Sequence, residues 1–281
     1  MFDWKQVRGR VMGVVNVTPD SFSDGGRYLE PEAAAAHGLE LAAQGAAVLD
    51  VGGESTRPGA APVDAAEETR RVVPVVRELA ERTAVPISVD TTKAEVAAAA
   101  LEAGAAIVND VSAGRLDPAV LSVVADAGAG YVVMHMLGEP RTMQDDPCYG
   151  DVVREVGDFL CTRLAAARGA GIAPESLMAD PGIGFGKTVD HNLALLAHLG
   201  ELVARVRVPV LVGTSRKRFL GALTGVDDAT ARDDATLPTV VWSLERGAAM
   251  VRVHDVGRAV HAATVLDALR AAEPRAVGAV A

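Results

Sequence analysis

Polar and ionisable side chains follow nearly every short apolar run of this chain, at the point where the run ends. Two of them, Arg252 and His254, are two residues apart and would point to the same face of a strand. A cation and an imidazole on one face suit an oxyanion such as a phosphate. The other members of the set are Asn16, Glu54, Thr56, Arg57, Asp90, Lys93, Asn109, Asp110, His135, Asp180, Ser215, Arg216, Lys217 and Asp255. Their recurrence predicts one shared site rather than a series of ordinary turns.

A second kind of chemistry is suggested by Asp90, Asn109 and Asp180, which are two carboxylates and an amide at strand ends. Buried near each other, they could hydrogen-bond to the donor and acceptor edge of a planar heterocycle, as a binding site reads a nucleobase. The alternative is hydrogen bonding within the core of the fold, with Arg252 and His254 in a structural ion pair with Asp255. Spacing alone leaves both interpretations open.

The stretch VMGVVNVTPDSFSDGG (11–26) shows how a strand could present such residues. Its first part is rich in β-branched residues and too short for a helix, which predicts a buried strand. Pro19 and the pair Gly25 and Gly26 then exclude the interior of a strand or helix. Several hydrogen-bonding groups therefore lie directly past the carboxyl end of the strand.

The same arrangement recurs along the chain. Further strands are predicted at 47–52, 86–91, 106–111, 131–136, 177–182, 209–215 and 250–256. Helices are predicted at 31–44, 65–83, 93–103, 117–127, 151–170, 191–204, 231–246 and 257–272. Eight alternating strands and helices, at about 35 residues per unit, favour an α/β fold of the (β/α)8 TIM-barrel type with its active site at the carboxyl ends of the strands. A doubly wound sheet is the alternative, but no glycine fingerprint follows the first strand.

The glycine-rich stretch PGIGFGKT (181–188) resembles two nucleotide-binding motifs without matching either. A P-loop requires glycine where Pro181 stands, and a dinucleotide fingerprint requires glycine where Lys187 stands. We therefore interpret this stretch as a glycine turn that allows the backbone to approach a flat ligand.

Composition narrows the classes of function. The net charge of −10 argues against general binding of nucleic acid or acidic membranes. Cys148 and Cys161 lack metal-ligand spacing, which suits a reducing compartment. No run approaches the roughly 18 apolar residues that cross a bilayer, and the start of the chain lacks a signal-peptide pattern. We expect a cytoplasmic protein with a lead-in over 1–10, one barrel over 11–269 and a flexible tail over 270–281.

Seven motifs, in order from about Val11 to Asp267, resemble those of the bacterial dihydropteroate synthase family. They are NVTPDSFSDGG (16–26), VGGESTRPGA (51–60), VDTTK (89–93), NDVSAG (109–114), DPGIGFGKT (180–188), GTSRKRFLG (213–221) and RVHDV (252–256). That family joins 6-hydroxymethyl-7,8-dihydropterin diphosphate to p-aminobenzoate and releases diphosphate, forming 7,8-dihydropteroate for folate synthesis. The resemblance implies a homodimeric transferase that acts by an SN1-like route.

The resemblance also implies roles for individual side chains. The pterin would be bound by Asp90, Asn109, Asp180, Lys217 and Arg252. The diphosphate would be bound by Asn16, Arg57, Arg252 and His254, with Asn16 also contacting Mg²⁺. The p-aminobenzoate would lie against Phe22, Thr56, Pro58, Phe185, Lys217 and Arg218. The catalytic residues would be Asp24, Arg57 and Lys217, and the loops 19–27 and 54–62 would be mobile lids.

Some members of the family carry serine after the lysine of the SRK motif, where this chain has Arg218. The backbone N–H and guanidinium of Arg218 could serve the p-aminobenzoate carboxylate instead. The p-aminobenzoate region has no insertion of the kind found in sulfonamide-insensitive relatives, so we expect sulfonamides to compete.

Two other functions are compatible with parts of the pattern. A catalytically inactive pterin-binding paralogue should have lost residues of the lids or of the anion pocket. A folate-dependent methyltransferase of the same barrel group should lack the two lid motifs and the SRK motif.

Overall fold

The barrel is built from eight strands. The computed structural model describes residues 1–17, 31–55 and 60–272. The strands are β1 (Val11–Asn16), β2 (Val48–Gly52), β3 (Ile87–Asp90), β4 (Ile107–Asp110), β5 (Gly130–Met134), β6 (Leu177–Asp180), β7 (Leu211–Val212) and β8 (Met250–Val253). All pairs are parallel in the order β6-β5-β4-β3-β2-β1-β8-β7, and a parallel bridge from Ala179 to Val210 joins the two ends. The predicted (β/α)8 TIM barrel is therefore confirmed, and the doubly wound alternative is wrong.

Ten α-helices alternate with these strands within the described residues. They are α1 (Pro31–Ala43), α2 (Ala65–Arg82), α3 (Ala94–Glu102), α4 (Ala119–Ala127), α5 (Val152–Gly169), α6 (Val189–Ala197), α7 (Leu199–Val206), α8 (Arg218–Thr224), α9 (Asp233–Glu245) and α10 (Val256–Ala272). None of these helices has the length and apolar character needed to span a membrane.

The helices differ from prediction at two places. The segment predicted as one helix over 191–204 is two, because His198 leaves helical geometry and serves as the last cap of α6 and the first cap of α7. Helix α8 is not predicted, since its seven residues are too few to show a helical period before the left-handed Gly225 ends it. That short helix matters for the site because Lys217 is the residue that precedes it.

The floor of the barrel is an apolar layer formed by one inward-facing residue from most of the strands. Its buried members include Met12, Val48, Ile107, Val132, Met178, Leu211 and Met250, packed with Trp4. Trp4 lies in the lead-in, and its Nε1 donates to the carbonyl of Ser176 at 2.9 Å. The start of the chain therefore closes the amino-terminal end of the barrel.

A polar layer lies directly above this floor. Side chains in a strand repeat every two residues, so the residue two positions after a floor residue faces the same interior. Those positions carry Asp50, Asn109, Asp180 and Arg252. Residues of the opposite parity face the helices: a Cβ on Gly13, for example, would lie 2.9 Å from Val256. The two-residue period therefore places the candidate site residues inside the barrel mouth.

Candidate active site

Asp50 is hydrogen-bonded directly to two other residues of the polar layer. Its fully buried Oδ2 accepts a hydrogen bond from Arg252 Nε at 2.6 Å and another from Asn109 Nδ2 at 3.0 Å. Arg252 also donates from Nη2 to Asp90 Oδ2 at 2.9 Å. Strands β2, β3, β4 and β8 thus bring Asp90, Asn109 and Arg252 into one hydrogen-bonded group.

This group presents specific surfaces to a ligand. Because the amide nitrogen of Asn109 faces Asp50, its amide oxygen is directed away from that carboxylate as an acceptor. One edge of the Arg252 guanidinium donates hydrogen bonds to the carboxyl groups of Asp50 and Asp90. The flat face of the guanidinium therefore stays available for stacking on a planar ring. An acceptor beside a stacking cation suits a flat heterocycle better than a plain structural network.

Burial raises the pKa of two carboxyl groups at the mouth, those of Asp90 and Asp180. The pKa of Asp90 is raised to about 7, because burial and the nearby charge of Asp50 together outweigh the opposing charge of Arg252. Burial also raises the pKa of Asp180, against the charge of Lys217 and the hydrogen bond from the Gly182 N–H at 2.7 Å. Carboxyl groups held in this way can match both donor and acceptor positions of a ligand.

Lys217 and Phe185 form a second part of the mouth. Lys217 Nζ donates to the carbonyl of Ile183 and lies 4.6 Å from the centre of the Phe185 ring. Burial lowers the pKa of Lys217 to about 8, and the charge of Asp180 opposes this. The predicted p-aminobenzoate residues Phe185 and Lys217 are therefore in contact, with Lys217 close enough to Asp180 for their charges to interact.

The imidazole of His254 is oriented by a serine. Ser215 Oγ lies 2.9 Å from His254 Nδ1 and accepts from the His254 backbone N–H at 3.2 Å. Arg252 pairs with Asp50 and Asp90 and not with Asp255, whose carboxylate instead contacts Arg258 at 3.3 Å. For Arg252, the alternative of a structural ion pair with Asp255 is therefore wrong.

Asp110 and Arg216, two of the other strand-end residues, have structural contacts. Asp110 faces away from the mouth, where it accepts from the N–H groups of Ser112 and Gly114 at 2.7 and 2.6 Å and from the Tyr131 hydroxyl at 2.8 Å. Arg216 forms a two-bond pair with Asp233 at 2.8 and 2.7 Å. These groups stabilise the loops around the site.

Lys93 supports the loop that follows β2. Its Nζ lies 2.6 Å from Glu54 Oε2 and 2.5 Å from Glu68 Oε2, and Glu54 also accepts from the Val63 N–H at 2.9 Å. Glu54 thus joins the two stems of this loop, and Lys93 links it to Glu68 of α2. The cluster is separate from the group around Asp50.

Several predicted site residues lie outside the described part of the chain: Phe22, Asp24, Thr56, Arg57 and Pro58. Their roles stay predictions.

Arg218 is exposed and is the first residue of α8, whose leading N–H groups have no partner within the helix. Asn16 ends β1 and is half-buried on the face that points into the barrel. Within residues 1–17, 31–55 and 60–272, no three His, Cys, Asp or Glu side chains are grouped as metal ligands.

Asp50 is a residue that the motif analysis misses. The sequence does contain a sign of it: Asp50 is a carboxylate within an apolar strand, on the same face as Val48, and such a residue is uncommon in a purely structural role. Among the described residues its Oδ1 is buried without a hydrogen-bond partner, a costly arrangement that is typical of functional sites. Lys187, which enters the motif comparison only as a mismatch, is also buried, with Nζ 2.9 Å from His135 Nδ1.

Comparison with known proteins places this site in a family. The family model described as pterin binding enzyme matches residues 12–254. Dihydropteroate synthase of Mycobacterium leprae is 51% identical over 272 residues, covering 95% of each chain.

Two solved structures have the same fold. Xanthomonas albilineans dihydropteroate synthase, solved with 4-aminobenzoic acid, has a TM-score of 0.88 at 52% identity and 94% coverage of both chains. Yersinia pestis dihydropteroate synthase, solved as a sulfonamide drug complex, has a TM-score of 0.89 at 43% identity and the same coverage of 94%. With these similarities over nearly its whole length, the chain belongs to the dihydropteroate synthase family of pterin-binding enzymes.

Proposed function

We propose that this transferase joins 6-hydroxymethyl-7,8-dihydropterin diphosphate to p-aminobenzoate, forming 7,8-dihydropteroate and diphosphate. The observation that carries the proposal is the buried group in which Asp50 orders Asn109 and Arg252 beside Asp90. A flat ring with a donor and acceptor edge fits that group, and Lys217 with Phe185 adds a second compartment next to it.

The pterin is held by three kinds of contact. Asp90, Asn109 and Asp180 hydrogen-bond to its edge, since they supply carboxyl and amide oxygens in a buried layer. Arg252 stacks on the ring, and Lys217 donates to the pterin carbonyl. Both cations are held in place by protein acceptors before the ligand enters, so little reorganisation is needed on binding.

The diphosphate lies at the cationic side of the mouth. Arg252 faces inward in β8, and His254, which directly follows the strand, and Arg57 are expected to join it. Asn16 fits a role toward Mg²⁺, because one amide oxygen suits a cation that keeps its waters and takes its other ligands from substrate phosphates. When bound, the metal supplies positive charge that stabilises the leaving diphosphate. Arg252 and His254 supply the same kind of stabilisation from the protein itself.

The reaction proceeds by departure of the diphosphate before the amine attacks. The C–O bond breaks with its electron pair remaining on the diphosphate, and the cation on the exocyclic methylene delocalises into the pterin. Asp24 stabilises this cation, and the lone pair of the aryl amine then forms the C–N bond and an N–H proton is released. The loops 19–27 and 54–62 exclude water, which would otherwise capture the cation.

Product formation by the purified protein tests this function. Dihydropterin diphosphate, p-aminobenzoate and Mg²⁺ are supplied together, and diphosphate and dihydropteroate are measured. We expect diphosphate release that requires both p-aminobenzoate and metal. Clear pterin binding without release would support the catalytically inactive paralogue instead. Pterin binding that is indifferent to the diphosphate group would point to the methyltransferase class.

Sulfonamides are expected to inhibit this chain by competing with p-aminobenzoate. Phe185 and Lys217 are both partly accessible and in contact, which suits an aryl amine with an anionic para substituent. Initial rates at several sulfonamide concentrations should show a rising apparent KM for p-aminobenzoate at constant kcat. Benzenesulfonamide, which lacks the para-amino group, is the matched control and should inhibit much less. Full activity at high sulfonamide concentration would contradict this assignment of the compartment.

We also propose that two copies of the chain associate through α9 and α10. These helices expose an apolar groove in which Val265 is 59% and Leu269 is 62% accessible, next to Leu237 and Val241. A contiguous apolar surface of this kind typically marks a protein interface. The Leu269→Glu variant should elute as a monomer in size-exclusion chromatography with light scattering. Leu116→Glu, on an exposed leucine before α4, should leave a dimer intact; a monomeric parent chain would refute the proposal.

A further inference from the structure

The loop that follows β6 is fixed through each of five consecutive backbone carbonyls. Lys187 Nζ donates to Gly182 O at 2.9 Å and to Phe185 O at 3.0 Å, and Lys217 Nζ donates to Ile183 O. Gln144 and Tyr149 hold the carbonyls of Gly184 and Gly186 at 2.7 and 2.8 Å. The glycines at 182, 184 and 186 have φ of 65°, 82° and 63°, which lets the chain turn its carbonyls toward these donors.

Lys187 is the donor that closes this loop on itself. Its side chain is buried, and its Nζ meets three acceptors, Gly182 O, Phe185 O and His135 Nδ1, the last at 2.9 Å. An ammonium group has three N–H donors, so the number of donors and acceptors matches. Burial lowers the pKa of His135 to about 2, so the imidazole is neutral and can accept. Burial also lowers the pKa of Lys187, and the amine keeps two N–H donors even in its neutral form.

His135 is itself held rigidly. Its ring packs edge-on against Phe159 with ring centres 4.8 Å apart. The loop also lies directly on its backbone, because a Cβ on Gly182 would come within 1.8 Å of the His135 carbonyl oxygen. The pair of His135 and Lys187 therefore transmits the position of β5 to the loop.

The loop carries two groups of the p-aminobenzoate compartment. Phe185 contributes its ring, and Ile183 contributes the carbonyl that holds Lys217 over that ring. We propose that Lys187, seated on His135, is a positioning residue for p-aminobenzoate that sets the Phe185 ring through its bond to the Phe185 carbonyl. This inference rests on the proposed function. The motif that fails as a nucleotide-binding loop thus holds one wall of the acceptor-substrate site.

The Lys187→Met variant tests the proposal, because methionine fills similar space without donating. We expect KM for p-aminobenzoate to rise about tenfold, on the scale of one charge-assisted hydrogen bond. KM for dihydropterin diphosphate should stay within about twofold, since the group around Asp50 is untouched and the bond from Lys217 to Ile183 does not involve Lys187. Trp4→Phe at the barrel floor is the control for stability: it should lower the melting temperature without changing either KM.

A second pair of variants keeps the test decisive if Lys187→Met does not fold. His135→Asn retains an acceptor at the position of Nδ1, whereas His135→Leu removes it. We expect His135→Asn to keep most of the affinity for p-aminobenzoate and His135→Leu to lose it. Equal KM values for p-aminobenzoate in this pair, or equal rises in both substrates' KM, would overturn the proposal.

Parallel assays of the unmutated chain separate this inference from the proposed function. If the unmutated chain makes no dihydropteroate, calorimetric binding of p-aminobenzoate to the protein loaded with dihydropterin and diphosphate gives the same comparison among variants. Selective loss of that binding in Lys187→Met supports the positioning role even without turnover. Absence of p-aminobenzoate binding by the unmutated chain overturns both.

Discussion

Replacing Asp180 with alanine lowers kcat/KM for dihydropterin diphosphate by more than about 100-fold, and Lys217→Ala has an effect of similar size. Each side chain supplies one or two charge-assisted hydrogen bonds in a buried layer, and each such bond contributes about 1.5–3 kcal/mol. Asp180 is 6% accessible, so water cannot replace its contact to the ligand. Steady-state kinetics with both substrates measure the loss.

Two asparagine variants separate pterin binding from loop structure. Asp180→Asn keeps an oxygen for the Gly182 N–H but lacks the negative charge. We expect its kcat/KM for dihydropterin diphosphate to fall nearly as far as that of Asp180→Ala. Asp110→Asn is the matched control, because that buried carboxylate faces the helices and bonds to Ser112, Gly114 and Tyr131. It should reduce stability and leave KM for the pterin unchanged. Near-normal kinetics in both Asp180→Ala and Lys217→Ala would overturn the pocket assignment.

The Arg252→Met variant has the largest expected effect on stability. It leaves the carboxylates of Asp50 and Asp90 without their cation, and removing one partner of a buried pair costs about 3–5 kcal/mol. The variant also loses the stacking surface and a diphosphate contact, so turnover should fall below detection. Urea denaturation measures the stability, and a loss under about 1 kcal/mol would contradict the central role of this pair.

The stability deficit of Arg252→Met should depend on pH. In the parent chain the pKa of Asp90 is raised to about 7 by burial, against the charge of Arg252. Removing that charge raises the pKa further, so Asp90 stays protonated in the folded variant where the folded parent has already ionised. Below pH about 7 this carboxyl is protonated in both folded proteins and adds no difference; above it the deficit grows. Arg258→Met, an exposed arginine that pairs with Asp234, should show little change.

The polar layer shows which parts of the site are predictable from sequence. Arg252 and His254 are predicted to share a face because strand side chains alternate, and the structure places Arg252 in the interior with Asp90 and Asn109. The barrel itself follows from eight repeats of the same alternation of strand and helix. These features depend on the short repeats of apolar residues that are typical of strands and helices, and such repeats are visible in the sequence itself.

Other parts of the site depend on contacts between distant segments. Asp50 lies 202 positions from Arg252, and nothing in the sequence near either residue indicates their bond. In the sequence, Lys187 is only a mismatch to a nucleotide-binding motif. Its contact with His135, which is 52 positions away, becomes visible only in the fold. Helix α8 is too short for its pattern to be visible. Register between strands and the packing of loops decide these contacts, and neither is encoded in a local pattern.

The apolar floor gives the barrel an electrostatic direction. Trp4 and the ring of floor side chains fill the space beneath the charges of Asp50 and Arg252 with material of low permittivity. Field lines from those charges are therefore focused toward the open, water-filled mouth. A charged substrate approaching from that side meets an oriented potential before it makes any contact. The floor thus keeps solvent from screening these charges on the amino-terminal side of the barrel. Through Trp4, the N-terminal segment therefore influences the potential that an approaching substrate meets at the opposite end.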